Sequence, residues 1–389
     1  MGAGAARELS TKLPRVARWR DLPRRFDNLC PDVNDVEAIM AEVAVREVKG
    51  LRFEERDLRG KVPDLARGGE FGEIPLVRRI DPIFGTGVRF VSGAKIQPDS
   101  KADVTELTAP GGFCPFCPGS HEKYTVPFPS EMVPEGKIRR NLALAVPNII
   151  AYSTYSAVAV YDSTRHFVPM EEFDSGLLHD AFSAVLQHVR DVRAYDHLAC
   201  YSSINANYLP PSGSSLIHPH LQSSNDYVPL TAQSVLIERA RRHRKEGWSS
   251  LLGDYVDAER DGARYVGRIG DVEFLAPFAP SGFREVWAVL GGAADIVDLS
   301  DEHVVAFTDG LARILGAYVE WNLGSFNFAL TGGGADAEAL GLNPLFRIVA
   351  RSNPEPWYRS DVTYFERLYG ELMVDITPEE TAAGLRERF

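Results

Sequence analysis

The chain has 389 residues, of which 44% are hydrophobic and 25% are charged, a composition typical of a soluble globular protein with one large or two ordinary domains. Its formal net charge of −12 argues against a nucleic-acid-binding protein, because such proteins usually present a basic surface. The sequence has neither the run of about 20 apolar residues that spans a membrane nor the shorter apolar run of a secretory signal. We therefore expect a cytoplasmic protein that binds neither nucleic acid nor a membrane.

The first segment, residues 1–72, is rich in charged side chains. Residues 33–48 predict a helix, with Asn34 or Asp35 near its N-cap. Residues 56–73 combine charges with glycines, which is typical of a linker or a surface loop.

Residues 76–225 predict a unit that contains both strands and a helix. Residues 173–192 carry apolar side chains at helical spacing and predict an amphipathic helix. Four short apolar runs have the character of strands, namely 88–91, 142–146, 157–161 and 199–204.

A similar order of elements follows a helix-like stretch at 232–246. Ser300 is a suitable N-cap for a helix that extends to residue 321. Because strands, one helix and further strands occur in both parts, the sequence indicates a weak internal duplication of one α+β unit. The strands predicted in the second part are 272–278, 285–290, 325–330 and 345–350.

The segment His-Pro-His-Leu-Gln at residues 218–222 is the first group suited to chemistry. Proline favours an extended chain before it, and side chains alternate between the faces of an extended chain. His218, His220 and Gln222 therefore share one face, and Leu221 points the other way. The two histidines either form a reactive or ligating site or are merely solvated or satisfied in a core.

Four small residues, Ser-Gly-Ser-Ser at 212–215, come shortly before this segment. Backbone N–H groups of small residues can surround a phosphate, although such clusters also occur in ordinary loops. Their position beside the two histidines suggests a phosphate site.

A Cys-Pro-Phe-Cys segment at residues 114–117 is the second group suited to chemistry. Two cysteines at this spacing can supply two thiolates to a tetrahedral metal ion or form a redox pair. A zinc ion would need two further ligands. His166 is a candidate because it follows the predicted strand 157–161 in a polar run, where a ligand can lie at a strand end.

Together, Cys-Pro-Phe-Cys, His166 and His-Pro-His-Leu-Gln, separated by about fifty residues each, resemble the galactose-1-phosphate uridylyltransferase family. This is the transferase branch of the histidine-triad superfamily, which also contains nucleotide-sugar and dinucleoside-polyphosphate phosphorylases. The resemblance covers roughly residues 76–388. It includes Arg-Ile-Asp-Pro at 79–82, Val-Pro-Asn at 146–148, Asn207 eleven residues before His218, Phe-Arg-Glu-Val-Trp at 283–287 and Asp-Ile-Thr-Pro-Glu-Glu at 375–380.

The resemblance implies an α+β fold of two tandem histidine-triad-like units, each an antiparallel sheet with helices packed on it. Residues 73–230 would be the catalytic unit with the zinc site, and residues 231–389 a degenerate unit without metal ligands. Residues 1–72 would be an N-terminal extension. Because active sites of the family lie at a subunit interface, a homodimer is also implied.

The resemblance further implies one structural zinc ion, bound by Cys114, Cys117, His166 and His218. His220 would be the nucleophile that attacks the α-phosphorus of a nucleoside diphosphate compound and forms a covalent nucleotidyl-histidine. Its other ring nitrogen would then hold its proton against an acceptor such as a backbone carbonyl.

Gln222 stands where histidine-triad hydrolases have a third histidine. A glutamine can donate a hydrogen bond to a phosphoryl oxygen but cannot supply a proton, so transfer or phosphorolysis is expected over hydrolysis. By resemblance, Ser214 and Ser215 would bind the α- and β-phosphates, Asn148 the ribose or base, and Asn207 the phosphate region.

These residues lead us to expect an enzyme that moves an NMP, first of all UMP, from a nucleoside-diphosphate sugar to a sugar 1-phosphate. One alternative is a nucleotide-sugar or dinucleoside-polyphosphate phosphorylase with inorganic phosphate as acceptor. Another is a nucleotide-binding regulatory protein that has lost turnover.

The sequence departs from the family in its second half. No histidine or cysteine occurs after His303, so a second metal site built from histidines is not expected. Arg347 and Arg351 stand in the corresponding segment and either bind phosphate or face solvent. The sugar-contacting Gly-Tyr-Glu of the family corresponds to Leu-Tyr-Gly at 368–370 followed by Glu371, which leaves recognition of galactose open.

Overall fold

The computed structural model describes residues 43–64, 68–91, 101–150, 152–355 and 360–389. Within these ranges the strands are β1 (Val43–Val48), β2 (Leu51–Asp64), β3 (Glu70–Ile80), β4 (Gly87–Val91), β5 (Ile138–Arg140), β6 (Ala143–Pro147), β7 (Tyr155–Val160), β8 (Tyr201–Tyr208), β9 (His220–Asp226), β10 (Tyr265–Ile269), β11 (Val272–Leu275), β12 (Phe283–Leu290), β13 (Ser325–Thr331), β14 (Leu345–Arg351) and β15 (Glu371–Val374). The α-helices are α1 (Thr105–Thr108), α2 (His121–Tyr124), α3 (Ser175–Tyr195), α4 (Thr231–Lys245), α5 (Leu251–Glu259), α6 (Asp301–Glu320), α7 (Ala337–Leu340) and α8 (Pro378–Arg386).

A large sheet of ten strands forms the centre of the fold, in the order β10-β11-β12-β14-β13-β8-β9-β7-β6-β5. Read inward from either edge, the order is the first, second, third, fifth and fourth strand of a five-stranded unit. In each unit a long helix connects the third strand to the fourth, α3 in the first unit and α6 in the second. The α+β fold of two tandem units is therefore confirmed.

The two units join through β8 and β13, which pair antiparallel in the middle of the large sheet. One face of the sheet is covered by α3 and α6, whose apolar sides share one core with the strands. Phe182 of α3 packs edge-on against Phe307 of α6, with 4.9 Å between the ring centroids. Each such buried side chain contributes on the order of 2 kcal/mol to stability. In β9, Leu221 belongs to this core, so the residues on either side of it point to the opposite face of the sheet.

A small sheet, in the order β1-β2-β3-β4-β15, packs on the second unit. Phe53 of β2 lies 5.4 Å from the ring of Tyr255 in α5 and 5.3 Å from the ring of Phe278. β15 comes from the C-terminal part of the chain and pairs parallel with β4. The small sheet therefore ties the beginning of the described chain to its end.

Two sequence predictions in this region are wrong. Of the helix predicted over 33–48, residues 33–42 lie outside the described ranges, and Val43–Val48 is strand β1. The linker predicted over 56–73 is occupied by β2 and β3, which pair along their length. The reason is pairing between strands: Lys49 and Gly50 both have positive φ, 49° and 74°, and form a two-residue turn that directs β2 back along β1, and β2 then pairs with β3. The proposed boundaries at residues 72 and 230 remain predictions.

In the part of the chain that the structure describes, no helix combines the length and the apolar character that crossing a bilayer requires.

Candidate active site

β9 places the reactive segment in the middle of the first unit, between β7 and β8. Leu221 is fully buried in the core on the helix side of the sheet. Because side chains alternate along a strand, His220 and Gln222 point to the other side. Asn205 of β8 lies directly opposite Gln222, and Asn207 follows on the same side. We call this side, carrying His220, Gln222, Asn205 and Asn207, the polar face.

Four sulfur and nitrogen ligands converge beside His220. The donor atoms of Cys114, Cys117, His166 and His218 all lie within 4.8 Å of one another. Cys114 Sγ is 3.7 Å from His218 Nδ1, and Cys117 Sγ is 3.1 Å from His166 Nδ1. Tetrahedral zinc with ordinary bond lengths separates sulfur and nitrogen ligands by about 3.6 Å, so the donor set and its spacing fit zinc.

The protein surrounding this cluster also suits a metal. His218 Nε2 donates to the backbone carbonyl of Asp162 at 2.9 Å, which leaves Nδ1 free as a ligand. Burial lowers the pKa of His218 to about 4, so its imidazole is neutral at pH 7, as ligation requires. The Asp162 carboxylate accepts the Thr164 amide at 2.8 Å and turns the chain toward His166. The four residues predicted as zinc ligands are therefore brought together.

The segment 114–117, which we call the cysteine loop, also contacts His220. Phe116 lies between the two cysteines in sequence and is buried with Val158 and Val160 of β7. Its ring centroid is 6.0 Å from that of His218 and 6.3 Å from that of His220. An ion that holds the two cysteines in place would therefore also hold the Phe116 ring, against which His220 lies.

His220 is oriented by the backbone of its own segment. Its Nδ1 lies 2.9 Å from the carbonyl oxygen of His218, so Nδ1 carries the proton and Nε2 keeps a lone pair. Burial lowers the pKa of His220, which keeps the ring neutral. A neutral imidazole with a lone pair directed along the polar face can act as a nucleophile toward phosphorus.

Gln222 faces Nε2 of His220. Its Nε2 lies 3.1 Å from His220 Nε2, and its Oε1 accepts a hydrogen bond from Tyr152 Oη at 2.9 Å. Tyr152 therefore fixes which way the amide points. The sequence did not single out Tyr152, because no spacing rule relates it to a residue 70 positions away.

Asn148 stands at the end of β6 and near this group. Its backbone amide donates to Ser156, and its Oδ1 accepts from the amide of Ile150 at 3.0 Å. Tyr152 is half exposed and follows in the same loop. Asn148 therefore lies on the rim of the polar face, and its role in binding ribose or base stays a prediction.

The Ser-Gly-Ser-Ser loop forms a tight turn before the histidines. Gly213 has φ of 90°, a left-handed conformation that favours glycine. Ser214 is buried and its Oγ donates to the carbonyl of Leu216 at 2.7 Å, whereas Ser215 is exposed. The Ser214 amide points inward, toward the Leu209 carbonyl at 3.4 Å. Phosphate binding by Ser214 and Ser215 stays a prediction.

Asn207 contacts the second unit. It pairs with Asn327 of β13 in the sheet, and its Oδ1 accepts from Asn327 Nδ2 at 2.6 Å. The same Nδ2 donates to the Ser212 carbonyl at 2.9 Å. Asn327 could not be selected from the sequence, since its contact with Asn207 depends on the pairing of β8 with β13.

Arg347 and Arg351, the two arginines considered from sequence, both pair with acidic side chains of the protein, and phosphate binding by them stays a prediction. Arg347 Nε donates to Glu285 at 2.8 Å, and the guanidinium lies 4.6 Å from the centroid of the Phe84 ring. Arg351 forms a two-pronged ion pair with Asp361 at 2.8 and 2.6 Å. Both charges are therefore compensated by the protein itself, because half-buried arginines need a nearby acid.

Glu371, which follows the segment compared with the sugar-contacting motif, is also engaged. It lies on β15 in the small sheet and forms ion pairs with Arg78 and with Arg89, the latter at 2.8 Å. The Glu371 carboxylate is therefore already neutralised by two arginines of the same chain.

Comparison with known proteins adds to this geometry. No protein-family model matches the chain. An uncharacterized protein of Archaeoglobus fulgidus is 31% identical over 334 residues, which cover 84% of this chain and 96% of the relative.

Solved structures share the architecture at low sequence identity. An ADP-glucose phosphorylase from Arabidopsis thaliana with bound ADP-glucose has a TM-score of 0.62 and 16% identity, covering 80% of this chain and 99% of that one. A galt-like protein from the same plant has a TM-score of 0.61 and 17% identity, covering 80% and 98%. A uridylyltransferase has a TM-score of 0.57 and 21% identity, covering 80% and 97%. The chain therefore belongs to one family with the Archaeoglobus fulgidus protein and has the fold of the uridylyltransferase and the ADP-glucose phosphorylase, as its resemblance to the galactose-1-phosphate uridylyltransferase family predicted.

Proposed function

We propose that this protein is a nucleotidyltransferase that carries an NMP on Nε2 of His220. The observation that supports this most directly is the hydrogen bond of 2.9 Å between His220 Nδ1 and the His218 carbonyl. It assigns the proton to Nδ1 and leaves Nε2 as a nucleophile beside the Gln222 amide. The fold shared with a uridylyltransferase and an ADP-glucose phosphorylase supports the same class of reaction.

The reaction would proceed in two in-line steps. His220 Nε2 attacks the α-phosphorus, the bond from that phosphorus to the bridging oxygen breaks, and the sugar 1-phosphate leaves with the bonding electrons. In the second step a phosphate oxygen of the acceptor attacks the same phosphorus, and the phosphorus–nitrogen bond breaks. Neither step needs a proton, because both the leaving group and the acceptor are phosphate oxygens. This agrees with Gln222, which can donate a hydrogen bond but not a proton.

One zinc ion would be held by Cys114, Cys117, His166 and His218. Two thiolates and two neutral imidazoles balance its charge, and with four protein ligands the site is closed and structural. When bound, the ion would stabilise the cysteine loop against β7. No step of the reaction runs through it.

The substrate would lie along the polar face. Asn148 on the rim would bind the ribose or base, and Asn207 with Ser215 the phosphates; Ser214 would join them only after its hydroxyl and amide exchange their present carbonyl partners for phosphate oxygens. UMP from a nucleoside-diphosphate sugar, with a sugar 1-phosphate as acceptor, is our first candidate. We also propose a homodimer and a cytoplasmic location, in line with the family resemblance.

A second candidate is a phosphorylase that uses inorganic phosphate as acceptor and ADP-glucose or a dinucleoside polyphosphate as donor. It is favoured by the engagement of Glu371 with Arg78 and Arg89, because a carboxylate committed to two guanidinium groups is poorly placed to select a hexose. The likeness to an ADP-glucose phosphorylase points the same way.

The covalent step can be tested directly. The protein is incubated in turn with α-³²P-labelled UDP-glucose, ADP-glucose and diadenosine polyphosphate, and acid-labile label on the protein is measured. We expect label on the wild type and on His197→Asn, whose histidine is exposed and distant in sequence, but not on His220→Asn. Adding sugar 1-phosphate or phosphate to the labelled protein then identifies the acceptor. Absence of label with every donor would favour the binding-protein alternative.

A further inference from the structure

A line of four polar side chains runs from the second unit to the polar face. Asp361 accepts two hydrogen bonds from Arg351, at 2.8 and 2.6 Å. Arg351 Nη1 donates to Asn327 Oδ1 at 2.5 Å. Asn327 Nδ2 donates in turn to Asn207 Oδ1 at 2.6 Å and to the Ser212 carbonyl at 2.9 Å.

The arginine sets the direction of this line. A guanidinium can only donate, so the Asn327 oxygen must face it and the Asn327 amide nitrogen must face the first unit. That nitrogen then requires an oxygen from Asn207. As a result, the Asn207 amide nitrogen points away from the line and is available as a donor.

The line ends on the same side of the sheet as the reactive histidine. Asn327 and Asn207 are direct partners in the β8–β13 pairing, and Asn205, two residues earlier, lies opposite Gln222. The neighbouring residues Phe326 and Phe328 point into the apolar core and hold β13 in register. The position of Asn327 is therefore rigid, as a group that orients others must be.

We propose that Asn327, held by Arg351, is a positioning residue for phosphate binding. It presents the Asn207 amide nitrogen to a phosphoryl oxygen and holds the Ser212 carbonyl at the start of the Ser-Gly-Ser-Ser loop. The second unit, although degenerate, would thus contribute directly to the substrate site. This inference rests on the proposed function.

The test uses Asn327→Asp in a His220→Asn background, in which no turnover occurs. The aspartate at position 327 has the size of the asparagine and can still accept a hydrogen bond from Arg351. It cannot donate a hydrogen bond to the Asn207 side chain or to the Ser212 carbonyl. Affinities for UDP-glucose, ADP-glucose and diadenosine polyphosphate are measured by calorimetry, with thermal unfolding as a parallel measurement. We expect Kd to rise about tenfold for the nucleotide that the parent binds, as loss of an oriented hydrogen bond predicts.

Asn343→Asp is the matched control. Asn343 is also half-buried, donates to the Ala293 carbonyl at 2.9 Å and accepts from Ser250, but it lies away from the polar face. We expect its Kd to stay within about twofold of the parent. A purely structural role of Asn327 would instead lower the unfolding temperature of Asn327→Asp while its Kd stayed close to that of the parent, and this result would overturn the inference.

A double-mutant comparison separates the inference from the proposed function. If Asn327 acts through Asn207, Asn327→Asp should weaken binding much less in an Asn207→Ala background. If Asn207→Ala weakens binding but Asn327→Asp does not, or if the two losses simply add, the inference is overturned and the proposed function stands. If neither the parent nor the wild type binds UDP-glucose, ADP-glucose or diadenosine polyphosphate, the proposed function fails, and this inference fails with it.

Discussion

Tyr152 Oη donates to Gln222 Oε1 at 2.9 Å, and Gln222 Nε2 lies 3.1 Å from His220 Nε2. The tyrosine hydroxyl therefore decides which end of the glutamine amide faces His220 Nε2, the proposed nucleophile. The amide nitrogen of a glutamine donates hydrogen bonds, whereas its oxygen accepts them. With the oxygen held by Tyr152, the Gln222 nitrogen can donate to a phosphoryl oxygen once the lone pair of His220 Nε2 is used to bind phosphorus.

We expect Tyr152→Phe to slow transfer of label to the protein by about tenfold in single-turnover experiments, because the freed Gln222 amide samples both orientations. Zinc content and unfolding temperature should not change, since Tyr152 is half exposed. Tyr195→Phe is a suitable control, because Tyr195 is 52% exposed at the end of α3. An unchanged rate of labelling in Tyr152→Phe would show that the orientation of Gln222 does not depend on it.

Gln222→His should convert part of the transfer into hydrolysis. A neutral imidazole at this position can take up the proton that an attacking water must lose, whereas a phosphate oxygen attacks without losing a proton. We expect the ratio of NMP released into water to NMP transferred to rise by about tenfold or more. The ratio is measured from labelled products separated by chromatography. Gln222→Ala removes the amide without adding an acid, so a similar rise in that variant would contradict the explanation.

Removal of a thiolate from the metal cluster should release the ion and destabilise the first unit. The purified wild type should contain close to one equivalent of zinc by elemental analysis. Cys114→Ser should lose most of it, with a fall of several kcal/mol in the free energy of unfolding.

Cys200→Ser provides the comparison for this variant. Cys200 is also buried but lies outside the cluster, so its zinc content should equal that of the wild type. Two or more tightly bound ions per chain would contradict a single site.

Stability should fall in mild acid because of His188. This side chain stacks on Phe128, contacts Ser223 Oγ at 2.9 Å, and burial lowers its pKa to about 4. Between pH 6.5 and 4 the unfolded chain therefore binds a proton that the folded chain does not. Stability rises with pH across this window and is lost as pH falls through it, by up to about 3 kcal/mol.

His188→Gln should remove this part of the pH dependence. The measurement is the free energy of unfolding in urea at pH 7 and pH 4.5, compared between wild type and variant, so that acid effects on the metal cluster cancel. His197→Gln, at an exposed position, should keep the wild-type pH dependence. An equal loss of stability in wild type and His188→Gln would contradict the assignment to His188.

The sequence alone determined the local chemistry of the site. Because side chains alternate along an extended chain, His220 and Gln222 were predicted to share one face. Leu221 between them is buried in the core beneath the helices, so that face is the one opposite the helices. The pair of cysteines at 114 and 117 indicated either a metal ion or a redox pair, because two thiolates at that spacing can reach one ion, and the family resemblance favoured the metal. These features depend on neighbours within a few residues, whose geometry the backbone fixes.

The tertiary structure decided the rest. Strands β2 and β3 were missed because residues 56–73 combine charges with glycines, which is also typical of a loop, and only the pairing of the two strands gave them their structure. Arg347 could not be assigned from sequence, since its partner Glu285 lies 62 residues away.

The same holds for the residues that orient the site. Tyr152 reaches Gln222 and Asn327 reaches Asn207 across 70 and 120 residues of chain. The two units share one sheet because β8 pairs with β13, and only that long-range pairing brings the second unit to the polar face. Contacts of this kind are set by the burial of whole strands and helices in a common core, and a local sequence pattern carries no information about them.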